Sequence, residues 1–371
     1  MTAPDPQDDR RQIQALADQL QFAHVGIAPA RPSEFADYVR DWLDQGHHGE
    51  MAWLAEHVEK RVDPTELMPG ARSIIVVADR YPAPDTTPDP GASPRGRLAR
   101  YGLGRDYHKV LKKRLFQIAD DLRERWPDET FQVATDTAPV LEHEHAARAG
   151  IGFTGKHTLT IHPRTGSWVL LGEIVTTLEL PTDPESAGID PDHPLAFFGD
   201  HFQGCGTCTR CIDACPTDCI RPWQLDAERC ISYLTIEHRG PIDPELHPQM
   251  GNWLGGCDVC QEVCPFNRDP ADEPSPHPDY TPDPVREAGL PLAEVIHWDE
   301  ADRLAALAGS SLTRIKLEPM RRNALIAAGN ILAERDDPQL LSAVKKAAEG
   351  DQPPLVRQTA HEVLKRLNRP L

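Results

Sequence analysis

All nine cysteines of the chain fall between Cys205 and Cys264, and their spacing constrains the fold more than any other feature. The first run reads Cys205-x2-Cys208-x2-Cys211-x3-Cys215-Pro216. The second reads Cys257-x2-Cys260-x3-Cys264-Pro265, with Cys219 and Cys230 between the two. Two-residue gaps let one tight loop present successive sulfurs to a single cubane. The cysteine before each proline leaves its loop and reaches the other cluster. That rule predicts a first [4Fe-4S] cluster on Cys205, Cys208, Cys211 and Cys264. The second takes Cys257, Cys260 and Cys215. A regular second motif would supply its last thiol at position 254, which is Leu254, so Cys230 is the natural replacement. Cys219 is then the spare, a small buried apolar thiol. The competing reading is zinc, but zinc ribbons use paired Cys-x2-Cys without the third cysteine and the Cys-Pro exit.

Clustered thiols of this kind belong to a reducing compartment, which predicts a cytoplasmic protein. No apolar run approaches the roughly 20 residues of a membrane span, and the polar, acidic start shows no targeting segment. With 371 residues there is room for two or three cores.

The hydrophobic pattern divides the chain. Helical periodicity covers residues 8–22, 33–45, 50–58 and 107–125. Strands are expected at 25–28, 73–78, 131–134, 158–162 and 167–178. A helix at 139–149 stops at Gly150, and a long Pro/Gly/Thr-rich loop spans 81–97. This alternation predicts an α+β domain, α/β-type in its order of elements, over residues 1–180. A proline-rich linker follows at 181–199, then a ferredoxin-like two-cluster insert at 200–270. After a second proline-rich break, residues 285–371 are all helical. There Arg321-x2-Ala324-x2-Ala327 recurs as Arg357-x2-Ala360-x2-Val363, a HEAT-like repeat. Two units are too few for a free solenoid, so they should pack on the body.

Two clusters alone make an electron relay. The roughly 200 residues ahead of them should hold whatever receives the electrons. Several stretches there are specific. Asp136-Thr137-Ala138-Pro139-Val140-Leu141-Glu142 leads through Ala146 to Phe153 and on to Gly155-Lys156. With them stand Arg61-Val62-Asp63-Pro64, Gly104-Arg105-Asp106-Tyr107-His108 and Cys230-Ile231-Ser232-Tyr233-Leu234-Thr235. Taken in order over about 8–268, these residues resemble the epoxyqueuosine reductases.

The resemblance implies a cobalamin-dependent enzyme with two [4Fe-4S] clusters, related to reductive dehalogenases. Its reaction is the last step of queuosine synthesis, the reduction of epoxyqueuosine to queuosine in the anticodon loop of certain tRNAs. Electrons from an external donor would pass through the clusters to cobalt, and the enzyme is expected to be a monomer.

The resemblance also implies roles. Asp136 matches the proton donor. An epoxide oxygen leaves poorly unless it is protonated, so burial beside the corrin should raise the pKa of Asp136. The plainer reading is an N-cap of the helix 139–149. Arg61 matches a cobalamin contact, its guanidinium suited to amide or phosphate oxygens. Ala99, Thr160, Leu171, Ser232, Cys257 and Asp258 carry over as further cofactor contacts, some of them through backbone. Arg239 falls where the family touches tRNA. The chain departs from the family at Glu142-His143 and at Gly155-Lys156-His157. His157 reads better as a polar replacement than as a cobalt ligand. His143 and His145 do not share a helix face and make a poor metal pair.

The formal net charge of −19 argues against generic polyanion binding. The tail offsets this locally, since residues 311–371 carry eleven Lys and Arg against seven Asp and Glu. Lys109, Lys112, Lys113 and Arg114 form a second candidate patch for tRNA phosphates. Two rival functions remain on these observations. One is a plain ferredoxin-type electron carrier, the other a corrinoid reductase of a small molecule, as in dehalogenation.

Overall fold

The structure, a computed structural model, describes residues 6–85, 93–183, 203–268 and 274–369. Most of the expected linker 181–199 lies outside these residues.

The body is a four-stranded sheet. Its order is His24–Pro29, Ser73–Arg80, Val169–Thr176, Phe131–Thr135, and every pairing is antiparallel. Strands do alternate with helices along the chain, but the sheet is not a parallel one, so the architecture is α+β. Ser73–Arg80 is buried along its whole length because both of its faces are covered. Alternate residues point to opposite faces. Ile75 and Val77 pack with Leu111, Leu115, Ile118 and Leu122 of the helix Tyr107–Arg125. Ile74, Val76 and Ala78 pack with Ala146 and Ala149 at the helix Glu142–Arg148. That second helix lies close on the sheet. A Cβ at Gly26 would meet the Ala149 carbonyl oxygen at 2.2 Å, so glycine is required there.

The helix Tyr107–Arg125 has the bounds expected from its periodicity. The helix after Asp136 starts later than expected, at Glu142, with Leu141 at its N-cap. Asp136 is therefore not its cap. The proline-rich loop also ends differently: Arg95–Leu98 is a strand. It pairs with Trp253–Gly255 of the cysteine region and Leu290–Pro291 of the tail. Residues from three parts of the chain thus share one small sheet, and sequence periodicity over four residues could not reveal it.

The tail helices Leu317–Glu334, Pro338–Ala348 and Pro354–Arg366 share one core with Leu98, Leu103 and Leu254. Ala324, Ala327, Ala360 and Val363 are all buried. Arg322 is also fully buried, and is bonded to the carbonyls of His238 (3.0 Å), Gly240 (2.5 Å) and Leu234 (2.5 Å). Asn323 donates to the carbonyls of Thr235 and Leu254. Arg322→Leu should leave three carbonyls without their donor and cost ~3–5 kcal/mol. A urea-unfolding midpoint unchanged from the native protein would contradict this. Among the described residues, no helix is long and apolar enough to cross a membrane.

Candidate active site

Asp136 follows the last residue of the strand Phe131–Thr135. Its Oδ2 accepts from the Tyr107 hydroxyl at 2.8 Å and bonds His108 Nε2 at 2.9 Å. The other ring nitrogen, His108 Nδ1, lies 2.8 Å from Asp106 Oδ1. Asp106 caps the long helix through the His108 N–H, which fixes the start of that helix beside Asp136. Tyr107 stacks on the His108 ring at 4.0 Å, and Tyr101 meets Tyr107 edge-on. The result is a hydrogen-bonded row, Asp106–His108–Asp136–Tyr107.

The electrostatics correct one expectation. Desolvation does push the Asp136 carboxyl up. Hydrogen bonds from His108 and Tyr107, with the charges of His108 and Arg314, outweigh it and hold the pKa below the ordinary carboxylate value. The proton sits instead on His108. Burial lowers its pKa, but Asp106 and Asp136 overcome that and raise it to about 9. At neutral pH the pair is a carboxylate and an imidazolium. Glu142, at the start of the following helix, behaves oppositely: burial first and the Asp136 charge second push it up to about 8.

The other expected contacts form two groups. Arg61, Thr160 and Leu171 surround the helix Glu142–Arg148. The Arg61 guanidinium is buried, donates to the Val140 carbonyl at 3.1 Å, and lies 5.6 Å from the Trp53 ring centre. Thr160 bonds His143 Nδ1 at 2.8 Å. Leu171 packs in the core beside Ala146. The second group is Ala99, Ser232, Cys257 and Asp258. Ala99 N–H donates to the Gly255 carbonyl at 2.8 Å, and Gly256 N–H donates to Thr235 Oγ1 at 2.9 Å. Gly256 has φ +79°, and a Cβ there would strike Ala99 Cβ at 2.4 Å. The Asp258 carboxylate is consumed by Arg100, accepting from its backbone N–H at 2.9 Å and pairing with its guanidinium at 3.1 Å. A ligand contact at Asp258 would therefore use backbone.

The thiols lie near one another, and their mutual charges shift their pKa values. Burial pushes Cys264 up to about 11, and the neighbouring Cys205, Cys211 and Cys208 raise it further. Burial likewise raises Cys257, with Cys230 and Cys215 adding to it. Cys260 is also raised by burial, then by Cys257 and Cys230. Lys156 ties the first set to the body. Its N–H points at Cys205 Sγ (3.4 Å) and its ammonium bonds the carbonyls of Gly206 and Cys208. Asn267, just past the second exit proline, bonds Ser167 through both ends of its amide. His157 is buried and neutral, its pKa lowered to about 4 by desolvation.

Several basic residues proposed for phosphate binding are structural. Arg114 is buried against Asp79 and Tyr280. Arg321 and Arg322 are buried, and Arg366 bonds Asn330. Arg314 is different. It is exposed, pairs with Glu237 at 2.8 Å and acts electrostatically on Asp136. Arg239 is exposed on the other side of Glu237, with its guanidinium on the Ile236 carbonyl. Lys109 is exposed, and Lys112 Nζ lies 3.5 Å from Thr137 Oγ1 beside Asp136. Tyr107 and His108 were visible in the sequence only as part of a motif. Their role was not, because the contact to Asp136 spans nearly thirty residues.

Cysteines in a double-cluster spacing, on a chain that also holds a carboxylate–imidazolium pair, point to an iron–sulfur oxidoreductase. Comparison with known proteins agrees. Residues 204–267 match the model of the 4Fe-4S double cluster binding domain, and 61–137 match the family described as Epoxyqueuosine reductase QueG, DUF1730. An epoxyqueuosine reductase of Pseudomonas aeruginosa is 37% identical over 99% of this chain and 96% of its own length. One from Alicycliphilus denitrificans is 40% identical over 90% and 91%. A crystal structure of an epoxyqueuosine reductase with an epoxyqueuosine-modified tRNA-Tyr stem loop matches with TM-score 0.83 and 28% identity over 98% of this chain and 91% of that one. A Bacillus subtilis structure, described with its aspartate catalytic loop swung out of the active site, matches with TM-score 0.84 and 27% identity over the same shares. The chain belongs to the epoxyqueuosine reductase family.

Proposed function

We propose that this protein reduces epoxyqueuosine to queuosine in the anticodon loop of tRNA, using two [4Fe-4S] clusters and cobalamin. The observation that carries the reading is the Asp136–His108 pair, a charged imidazolium bonded to a carboxylate, in a chain that also carries the double-cluster cysteine domain. It is supported by the relatives' activity and by the relative seen with a modified stem loop.

Buried polar atoms left without a partner suit a large cofactor bearing many amide groups. Arg61 Nε, Thr135 Oγ1, Glu173 Oε1 and His157 Nε2 are buried without a partner among the described residues. Such atoms are costly unless something bonds them. Arg61, Thr160 and Leu171 would hold one side of the cofactor. Ser232, Cys257 and the backbones of Ala99 and Asp258 would hold the other, beside the second cluster. When bound, cobalamin supplies a low-valent cobalt centre that can deliver electrons to the epoxide-bearing ring.

Removing an epoxide oxygen as water takes two electrons and two protons. His108 stores a proton 2.9 Å from Asp136 Oδ2. Asp136 passes it to the departing oxygen and is recharged by His108, while Tyr107 keeps the carboxylate oriented. This differs from a permanently protonated aspartic acid. It places the acid's reserve on the imidazole, whose pKa suits proton supply at neutral pH.

The first cluster, on Cys205, Cys208, Cys211 and Cys264, would accept electrons from the external donor. The second, on Cys215, Cys230, Cys257 and Cys260, would hand them on. Arg314, Arg239, Lys109, Lys112 and Lys113 give the anticodon stem-loop phosphates a basic rim despite the acidic whole.

The test is the pH dependence of single-turnover reduction of an epoxyqueuosine-bearing stem loop by the loaded enzyme. His108 has its pKa raised, so it stays protonated through neutral pH and loses its proton as pH rises through about 9. The rate should hold steady through neutrality and fall above that value. A rate that rises across that range would contradict the imidazolium reserve.

A further inference from the structure

The second thiol set contains one sulfur too many. Four positions are filled by Cys215, Cys230, Cys257 and Cys260, yet Cys219 is not packed elsewhere as an inert apolar thiol. It is buried, and its Sγ lies 3.4 Å from Cys215 Sγ. Cys230 and Cys260 pack against the same small cluster.

The backbone fixes this approach. Asp218 takes the left-handed conformation, φ +51°, and its N–H donates to the Cys215 carbonyl. That turns the chain back on itself within four residues. Cys219 then accepts at its carbonyl from the Asp226 N–H at 3.0 Å, and the short strand Ile220–Arg221 pairs with Gln224–Leu225. This turn keeps the Cys219 backbone close to Cys215. Thr217 approaches the same sulfur, its Oγ1 3.7 Å from Cys215 Sγ.

We propose that Cys219 is a fifth thiol of the second cluster site that does not ligate iron but donates an S–H···S hydrogen bond to the ligating sulfur of Cys215, making that cluster easier to reduce. The inference rests on the two-cluster reading above. Hydrogen bonds to ligating sulfurs offset the negative charge gained on reduction, so donors raise the potential. Cys219 is a positioning residue in this sense, touching the cluster's ligand and not the substrate. Raising the potential of the second cluster draws electrons from the first one toward the substrate.

The experiment is an EPR-monitored redox titration of the reconstituted full-length protein, with iron analysis, for the native chain, Cys219→Ala and Cys219→Ser. The native protein should titrate in two steps. Cys219→Ala should keep the native iron content and leave one step unmoved. Its other step should shift by about tenfold in the reduction equilibrium, which for one electron is about 59 mV lower. Cys219→Ser, which keeps a hydroxyl donor, should fall between the two. Two unmoved steps in Cys219→Ala would overturn the inference and leave Cys219 a packing residue. Loss of half the iron would also overturn it, because Cys219 would then be a ligand. A native protein with a single cluster would instead overturn the two-cluster reading itself.

Discussion

Asp136→Asn should fold, assemble its clusters and lose ~10²–10⁴-fold in the rate of epoxide reduction. The substitution keeps size and shape. An amide oxygen can still accept from Tyr107, now at 2.8 Å from Asp136 Oδ2. It cannot take up and release a proton, and it carries no charge to hold His108 in its imidazolium form. Two readouts should therefore move together. Turnover falls, and the His108 titration, followed by NMR of the ring, moves down from about 9 because one of its two carboxylate partners is gone. A purely structural Asp136 would lower stability and leave the rate per folded molecule intact. Full turnover in the variant would show that the proton comes from another group, with Glu142 the nearest alternative.

Cys264→Ala should remove the first cluster and abolish turnover driven by an external donor. The choice of residue matters. Cys264 is adjacent in sequence to the second motif, yet the thiols whose charges act on it are Cys205, Cys211 and Cys208. If the ligands of the two motifs cross, iron content falls by half in a protein built for a double cluster. The surviving EPR signal should be that of the second set. Cysteines bind iron as thiolates, so assembly is coupled to proton release. The variant should also assemble its remaining cluster more slowly at low pH. Retention of both clusters, or loss of the second one, would contradict the crossed assignment.

What the sequence made legible was local. The cysteine spacing predicted a double-cluster domain, in agreement with the match over 204–267, because ligand geometry is written in gaps of two and three residues. The periodicity of residues 107–125 and the apolar run from Ser73 gave their elements for the same reason. What it hid was long-range. The antiparallel strand order cannot be read from alternation alone. Arg114 looked like part of a basic patch until Asp79, from another strand, claimed it. Arg321 and Arg322 looked like phosphate ligands but hold carbonyls of neighbouring segments. Asp136 shows the limit most clearly. Its burial was foreseeable, but the sign of its pKa shift depends on two partners from the start of another helix. The tail is likewise no appendage, since its core includes Leu98 and Leu254. Deleting residues 285–371 would uncover that core, so tRNA binding is better probed through Arg314→Ala.

The most direct measurement is nucleoside mass spectrometry of an epoxyqueuosine-bearing tRNA stem loop after incubation with the reconstituted protein, cobalamin and a strong reductant. The account predicts conversion to queuosine that requires cobalamin and is lost in Asp136→Asn. Unchanged epoxyqueuosine with the fully loaded protein, or equal conversion without cobalamin, would contradict it.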